Sequence, residues 1–227
     1  MLPPFQEVGE AADKLAECFV GVAVASVPVT DDEGCASTTG ARLTQRERAL
    51  WSELRCARRR AEFLAGRMAA RRAVAHLLNW PAPGPIEILK DAGGAPFVVE
   101  PPALEVSISH SNGVALAVAA LVPVGVDLET DDARPAAFAS LFFSASERRT
   151  LSAVSGHVQQ TLLNTLWTRK EAVSKVGRWG GTLAFARVDC LDSTVRVAGC
   201  PIAVRSTAAA GYVLSIAIEQ REAFAHG

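Results

Sequence analysis

Apolar positions along this chain follow the strand period of two residues in some segments and the helix period of about 3.6 residues in others. The same succession of strand-like and helical segments occurs twice, about 100 residues apart. The run VGVAVASV from Val20 has the composition of a buried strand, and VGVDLE from Val124 has it again. Each run is followed by a polar loop and by a helix start with capping-box spacing. The capping boxes pair Thr44 with Glu47 and Ser144 with Glu147. The order of strand, loop and capped helix is therefore repeated.

A longer helical pattern and several strand-like runs complete each copy. The helical patterns are FLAGRMAARRAVAHLL and LLNTLWTRKEAVSKV; the strand-like runs are IEILKD, PFVVE, LEVSISH and GVALAVAAL in the first copy and LAFARVDCL, VRVAG, PIAVRS and YVLSIAIE in the second. We predict an α+β fold made by pseudo-two-fold duplication of an α/β half. Each half has a small, mostly antiparallel sheet packed on helices. The predicted halves are residues 1–122 and 123–227.

Composition narrows the class of protein. The chain has 227 residues, 49% of them hydrophobic, which is ample material for a core. No apolar run is long enough to span a membrane. The five cysteines, Cys18, Cys35, Cys56, Cys190 and Cys200, form no C-x-x-C pair, which argues against a disulfide framework and a zinc site. A cytoplasmic location is expected, also because the opening residues lack the pattern of a signal peptide.

Charge is unevenly distributed although the net charge is only −1. Residues 42–72 contain ten arginines and three glutamates, so this segment is expected to meet an anion. Arg60, Arg67 and Arg71 have spacings that place them on one helical face. Nucleic acid is a poor candidate for the anion because these helices lack interleaved aromatic residues and the usual recognition motifs.

Carboxylates are the main candidates for chemistry. Asp127 and Glu129 are two apart on a predicted strand and therefore point to the same side. Glu171 and Lys175 are four apart on a predicted helix. If strand and helix pack together, three acids converge beside a lysine, and this set of oxygen ligands suits Mg²⁺ with a phosphate-bearing substrate. The alternatives are the polar face of an edge strand and a routine helix-stabilising ion pair.

Ser109 and His110 lie where a predicted strand ends in an Asn-Gly turn. Such a position opens onto a crevice, where both side chains could donate to a phosphate oxygen. A hydrolase with a serine nucleophile and a histidine base is the alternative. It is disfavoured because no G-x-S-x-G turn is present and because adjacent strand residues point apart.

These motifs, in the order SISHS, VGVDLE, FFSASE and WTRKEAVSK, resemble the 4′-phosphopantetheinyl transferases of the larger, monomeric two-half (Sfp-like) type. The family's G-x-D strand and W-x-x-K-E-A/S-x-x-K helix are both complete here. The resemblance covers roughly residues 44–186, and FLAGRMAARRA also looks like a helix of the bacterial members. One departure is the GGAP turn, in which Ala95 replaces a lysine carried by many relatives; either Lys90 supplies that phosphate contact or the contact is absent.

The resemblance implies an enzyme, a holo-[acyl-carrier-protein] synthase, which moves the phosphopantetheine arm of coenzyme A to a serine of an acyl or peptidyl carrier protein and releases adenosine 3′,5′-bisphosphate. It assigns Asp127, Glu129 and Glu171 to Mg²⁺. It implies that Glu171 accepts the proton of the incoming serine, directly or through a water. It also implies that Lys175 stabilises or protonates the leaving phosphate. The coenzyme A contacts it implies are Arg60, Arg67, Ser109 and His110.

Two other functions compete with this interpretation. One is a non-catalytic module that binds coenzyme A or a nucleotide, and the other is a Mg²⁺-dependent phosphohydrolase that uses water as nucleophile. The carrier is expected to dock on residues 130–150, where Leu141, Phe142 and Phe143 are the candidate apolar anchors, although Phe142 and Phe143 are also candidate core residues. A role in secondary-metabolite biosynthesis and a monomeric state are expected from the same family.

Overall fold

The computed structural model describes residues 3–30, 43–80, 86–135 and 137–220. Cys35 lies outside these residues. The helices are α1 (Pro4–Ala16), α2 (Gln45–Ser52), α3 (Ala57–Leu77), α4 (Phe138–Phe142), α5 (Ala145–Ser152) and α6 (Gly156–Val176). The strands are β1 (Val22–Pro28), β2 (Ile88–Lys90), β3 (Pro96–Val98), β4 (Glu105–Ser111), β5 (Val114–Ala120), β6 (Val124–Thr130), β7 (Thr194–Val197), β8 (Cys200–Ala209) and β9 (Tyr212–Glu219).

Two small antiparallel sheets form the centre of the fold, as predicted for an α+β protein. One has the order β1-β5-β4, the other the order β6-β9-β8-β7, and β2 and β3 form a separate hairpin. Helix α3 packs against β1 and β5, and α6 packs against β6 and β9. Alanines on the buried face of α3, such as Ala69 and Ala73, have no exposed surface. Because these side chains are small, the helix lies close to the strands.

Serine hydroxyls join the two sheets. Strand β4 lies beside β6 but shares no backbone ladder with it. The Ser107 hydroxyl accepts a hydrogen bond from the Val126 amide at 3.1 Å, and the Ser109 hydroxyl accepts one from the Leu128 amide at 3.2 Å. These two hydroxyls therefore take the place of strand carbonyls, and the buried amides of β6 are satisfied across the seam.

Each capping box continues into a buried ion pair. Glu147, with no exposed surface, accepts from the Ser144 amide at 2.7 Å and from the Cys190 amide at 2.8 Å, and it pairs with Lys170 of α6 at 2.8 Å. Lys170 is equally buried and also donates to the carbonyls of Phe185 and Val188. One side chain therefore ties α5, α6 and the segment before β7 together.

Glu47 has the same arrangement in the first part of the chain. It accepts from the Thr44 amide at 2.8 Å and from the Ile88 amide at 3.1 Å, and it forms an ion pair with Arg71 of α3. Glu47 is also fully buried. The repeated arrangement supports the predicted duplication, while the division into residues 1–122 and 123–227 stays a prediction.

Two segments differ from the sequence-based expectations. Residues 4–16, for which no helix was expected, form α1, whose apolar positions Val8, Ala12 and Leu15 recur at helical spacing and are buried. The run LAFARVDCL, predicted as a strand, is irregular and contains a 3₁₀ turn at Phe185–Arg187. The bend brings the carbonyls of Phe185 and Val188 to the Lys170 ammonium, which a straight strand would not do.

The described residues contain no helix that is both long and apolar enough to cross a bilayer. Cys18, Cys56, Cys190 and Cys200 are free thiols.

We predict that Glu147→Gln lowers the free energy of unfolding by about 3–5 kcal/mol, because the substitution leaves the Lys170 ammonium buried without its counter-charge. Urea unfolding followed by circular dichroism measures the change. Arg46→Gln is the control, since the Arg46 side chain is 61% exposed and its pair with Glu87 is expected to contribute at most about 1 kcal/mol. Equal losses in the two variants would contradict the role given to the buried pair.

Candidate functional site

Asp127 of β6 is the buried centre of a polar cluster. It is 5% exposed, because residues 124–128 of this strand are all covered. Its Oδ1 accepts from the Ser109 hydroxyl at 3.0 Å and from Lys175 Nζ at 2.8 Å. Its Oδ2 is buried and has no hydrogen-bond partner among the residues the structure describes. A buried carboxylate oxygen without a partner is costly unless a ligand completes it.

Helix α6 brings Glu171 and Lys175 to the same place. Lys175 Nζ also donates to the Val126 carbonyl at 2.8 Å, so the lysine anchors the helix to β6. Gly125 permits this close approach, because a Cβ at that position would overlap the Ala172 carbonyl. Burial raises the pKa of Glu171, and the negative charges of Asp127 and Glu129 raise it further. The positive charge of Lys175 acts in the opposite direction. The three acids therefore interact electrostatically.

Glu129 lies at the more open end of the cluster. Its Oε1 accepts from Trp167 Nε1 at 3.2 Å, and its Oε2 lies 3.3 Å from Arg134 Nη2. Within residues 3–30, 43–80, 86–135 and 137–220, no three His, Cys, Asp or Glu side chains are grouped as a metal site. The donor set nevertheless fits a hard divalent cation: it consists of carboxylates, one oxygen of Asp127 lacks a partner, and burial together with the charges of Asp127 and Glu129 raises the pKa of Glu171.

A cavity of about 420 Å³ opens at the end of β4, next to this cluster. Four basic side chains line it: Arg59, Arg67, Lys90 and His110. Burial lowers the pKa of Lys90, and the nearby charges of Arg67 and Arg59 lower it further. Glu62 is the one carboxylate among the described residues that line the cavity, so positive charge exceeds negative charge there and favours an anion.

Arg67 is the most buried of these cations, with 4% of its surface exposed. Its Nε donates to the Ile88 carbonyl at 2.9 Å, and its guanidinium lies 4.2 Å from the centre of the Phe63 ring. Its Nη2 is buried and finds no partner in the described part of the chain. Burial lowers the pKa of Arg67 to about 10, so the side chain is still charged at neutral pH. A fixed, charged donor without a partner is well suited to an anionic ligand.

His110 connects the cavity with the acidic cluster. It lines the cavity, and its neighbour on β4, Ser109, points to the other side and contacts Asp127. Its Nδ1 lies 3.8 Å from Glu62. The pKa of His110 is lowered, chiefly by burial, while Glu62 acts in the opposite direction. Lys175 also lowers the pKa of His110, so the histidine lies within electrostatic range of the acidic cluster.

The predicted site residues fall into two groups. Lys175 pairs with Asp127, the charges of Asp127 and Glu129 act on the pKa of Glu171, and Arg67 and His110 line the cavity. The convergence of the three acids on one ion stays a prediction. The roles of these residues remain predictions. Lys90 also lines the cavity. This position is compatible with the alternative in which Lys90 supplies the phosphate contact that the GGAP turn lacks.

Arg60 and Ser109 are not among the described residues that line the cavity, and their contacts with coenzyme A stay predictions. Arg60 stacks over Trp51, with 5.5 Å to the ring centre, and is not among the described residues lining the cavity. Its neighbour Arg59 lines the cavity instead. Helical spacing could not choose between them, because both Arg59 and Arg60 lie about two turns before Arg67. Ser109 is 7% exposed and is directed to the seam.

Two protein-family models match the chain. The model described as the 4′-phosphopantetheinyl transferase N-terminal domain matches residues 47–120. The model described as the 4′-phosphopantetheinyl transferase superfamily matches residues 123–215. Together they span most of the described chain. No curated protein is similar enough to the chain to count as a match.

Several solved structures are similar over part of the chain. A holo-(acyl-carrier-protein) synthase from Bacillus anthracis, in complex with CoA (3′,5′-ADP), is 28% identical, with a TM-score of 0.39 over 44% of this chain and 93% of that chain. The synthase from Helicobacter pylori, in complex with coenzyme A, is 22% identical, with a TM-score of 0.35 over 44% and 97%. The synthase from Neisseria meningitidis is 21% identical, with a TM-score of 0.38 over 44% and 94%.

We predict that Gly125→Ala destabilises the protein by about 1–3 kcal/mol, because the new methyl group must push β6 away from the Ala172 carbonyl on α6. Thermal unfolding measures the loss. Gly93→Ala is the matched control, since a Cβ there meets only Asp91 Oδ1 at an ordinary 3.4 Å. A midpoint of unfolding for Gly125→Ala as high as that of the control would contradict the close packing.

Proposed function

Because the chain belongs to the 4′-phosphopantetheinyl transferase superfamily, we propose that it moves the 4′-phosphopantetheine arm of coenzyme A to a serine hydroxyl of an acyl or peptidyl carrier protein. Adenosine 3′,5′-bisphosphate is the second product. The observation that carries the proposal is the arrangement on β4: His110 lines a cation-rich cavity while Ser109 contacts the buried Asp127. One substrate with several phosphates can span both places.

The phosphates of coenzyme A occupy the cavity in this proposal. The phosphate on the ribose is held by Arg59, Arg67 and Lys90. The two guanidinium groups give paired hydrogen bonds to phosphate, and the ammonium group of Lys90 acts as a point charge. His110 donates to the pyrophosphate. Lys90 supplies the charge that relatives place in the turn now occupied by Ala95. The reacting phosphorus then lies toward Asp127.

Asp127, Glu129 and Glu171 are the residues that would hold Mg²⁺. When bound, the ion neutralises charge on the pyrophosphate as the phosphoanhydride breaks. The support for these ligands is the partnerless Oδ2 of Asp127 and the raised pKa of Glu171.

Proton transfer falls to the two functional residues of α6. Glu171 takes the proton of the incoming serine, directly or through a water. The serine oxygen bonds to the phosphorus that carries pantetheine, and the bond to the adenylate oxygen breaks. Lys175, whose Nζ is held at 2.8 Å from Asp127, stabilises or protonates the departing phosphate.

The remaining parts of the proposal concern the protein partner, the oligomeric state and the cellular location. The carrier docks on residues 130–150, where Leu141 is 65% exposed while Phe143 is fully buried and belongs to the core. The enzyme acts as a monomer of the Sfp-like type, since one chain supplies both the cavity and the acidic cluster. Its free thiols fit the reducing cytoplasm.

We predict that the purified protein, given coenzyme A, Mg²⁺ and a panel of apo carrier proteins, adds one phosphopantetheine group to a carrier, as read by intact-protein mass. Glu171→Gln should slow the transfer by about 10²–10⁴-fold, because the proton acceptor is lost. Asp192→Asn, an exposed carboxylate outside the cluster, is the control and should react normally.

Other outcomes of this assay would support the competing functions. Binding of coenzyme A without modification of any carrier would favour a non-catalytic binding module. Mg²⁺-dependent release of phosphate from simple pyrophosphates, with carriers unmodified, would favour a phosphohydrolase.

We further predict that Arg59→Ala raises the KM for coenzyme A about tenfold or more, because one charge-assisted contact to the ribose phosphate is removed. Arg58→Ala is the matched control: both arginines pair with Glu62, but only Arg59 lines the cavity. The two variants should react equally with 3′-dephospho-coenzyme A. If Arg58→Ala raised the KM as much as Arg59→Ala, the assignment of Arg59 would be wrong.

A further inference from the structure

The Ser109 hydroxyl makes two hydrogen bonds across the seam, one as a donor and one as an acceptor. Its Oγ donates to Asp127 Oδ1 at 3.0 Å and accepts from the Leu128 amide at 3.2 Å. A serine hydroxyl has a single hydrogen to donate. Since that hydrogen goes to Asp127, none is left for a phosphate oxygen of a nucleotide. The side chain is also 7% exposed and does not line the basic cavity.

We infer that Ser109 is a positioning residue, which fixes the carboxylate of Asp127 so that its Oδ2 stays available to a divalent cation. This inference rests on the metal site of the proposed function. It replaces the nucleotide contact that the sequence predicted for Ser109.

The geometry explains why Asp127 needs such a partner. The terminal torsion of an aspartate has a broad energy minimum, so the two carboxylate oxygens exchange places easily. Lys175 also bonds to Oδ1, but its side chain is 29% exposed and in the proposed function it also serves the departing phosphate. Ser109 is short, buried in β4 and held by the Leu128 amide, and it therefore fixes which oxygen faces the cluster. Partners of metal ligands commonly change metal affinity about 10- to 100-fold.

Ser107 provides a matched comparison on the same strand. It is 4% exposed, and its hydroxyl accepts from the Val126 amide at 3.1 Å, just as Ser109 accepts from Leu128. No contact joins Ser107 to Asp127 in the described residues. Ser107→Ala and Ser109→Ala thus leave one buried amide each without its acceptor, and Ser109→Ala also removes the hydrogen bond to the Asp127 carboxylate. Only Ser109→Ala frees the carboxylate.

The test is a titration of the whole protein with Mn²⁺, followed by electron paramagnetic resonance of the free ion, so that binding is read without turnover. Ser109→Ala should raise the Mn²⁺ dissociation constant about tenfold or more, and Ser107→Ala should change it less than about twofold. Binding of adenosine 3′,5′-bisphosphate without metal, measured by calorimetry, should be the same in both. If Ser109→Ala does not fold, Ser109→Cys fills the same space with a weak donor, and the same loss of Mn²⁺ affinity is expected.

Three results would overturn the inference. Equal Mn²⁺ affinity in Ser107→Ala and Ser109→Ala, with normal binding by the wild type, would remove the positioning role and leave the proposed function intact. Weakened nucleotide binding in Ser109→Ala, with unchanged Mn²⁺ affinity, would restore the nucleotide contact. No Mn²⁺ binding by the wild-type protein would overturn the metal site and this inference together.

Discussion

A buried glutamate at the third position of a capped helix organises each part of this fold. Glu47 and Glu147 close their own capping boxes, but they also accept an amide hydrogen from a segment about 40 residues later and pair with a base on the long helix that follows. A buried carboxylate needs several such partners to be tolerated. The short helix, the long helix and the later segment are therefore fixed together, and the long helices α3 and α6 carry the arginines and the acid–lysine pair to the site.

The seam between the sheets determines where the chemistry lies. Because successive side chains of a strand point to opposite faces, His110 of β4 faces the basic cavity while Ser109 faces the seam and contacts Asp127. The cavity and the acidic cluster are neighbours with opposite prevailing charge, and each contains one group of the other sign. Glu62 lines the basic cavity, and Lys175 pairs with Asp127 in the acidic cluster.

Sequence reasoning could find what depends on local spacing. The capping boxes, the strand carrying Asp127 and Glu129, and the helix carrying Glu171 and Lys175 follow from short periods, and the structure brings them together. It could not distinguish Arg59 from Arg60, because both spacings to Arg67 are compatible with one helical face. It also could not show that the hydroxyl of Ser109 is already used, since that depends on a contact with β6. The run LAFARVDCL was wrongly predicted as a strand because its bend depends on hydrogen bonds with Lys170, which is distant in the sequence.

The two long helices show how one scaffold supports different chemistry in its two parts. Lys175 Nζ donates to the Val126 carbonyl at 2.8 Å, and His76 Nδ1 lies 3.2 Å from the Val24 carbonyl at the corresponding place on α3. The contact with the strand is the same, but the residue that follows on the strand differs: Ala25 follows Val24 in β1, whereas Asp127 follows Val126 in β6. The acid that interacts with His76 is Asp13, on α1. His76 is exposed, whereas Lys175 lies between the Val126 carbonyl and the carboxylate of Asp127. The same helix-to-strand hydrogen bond is therefore kept in both parts of the fold, and only on β6 does the helix residue also bind a carboxylate of the strand.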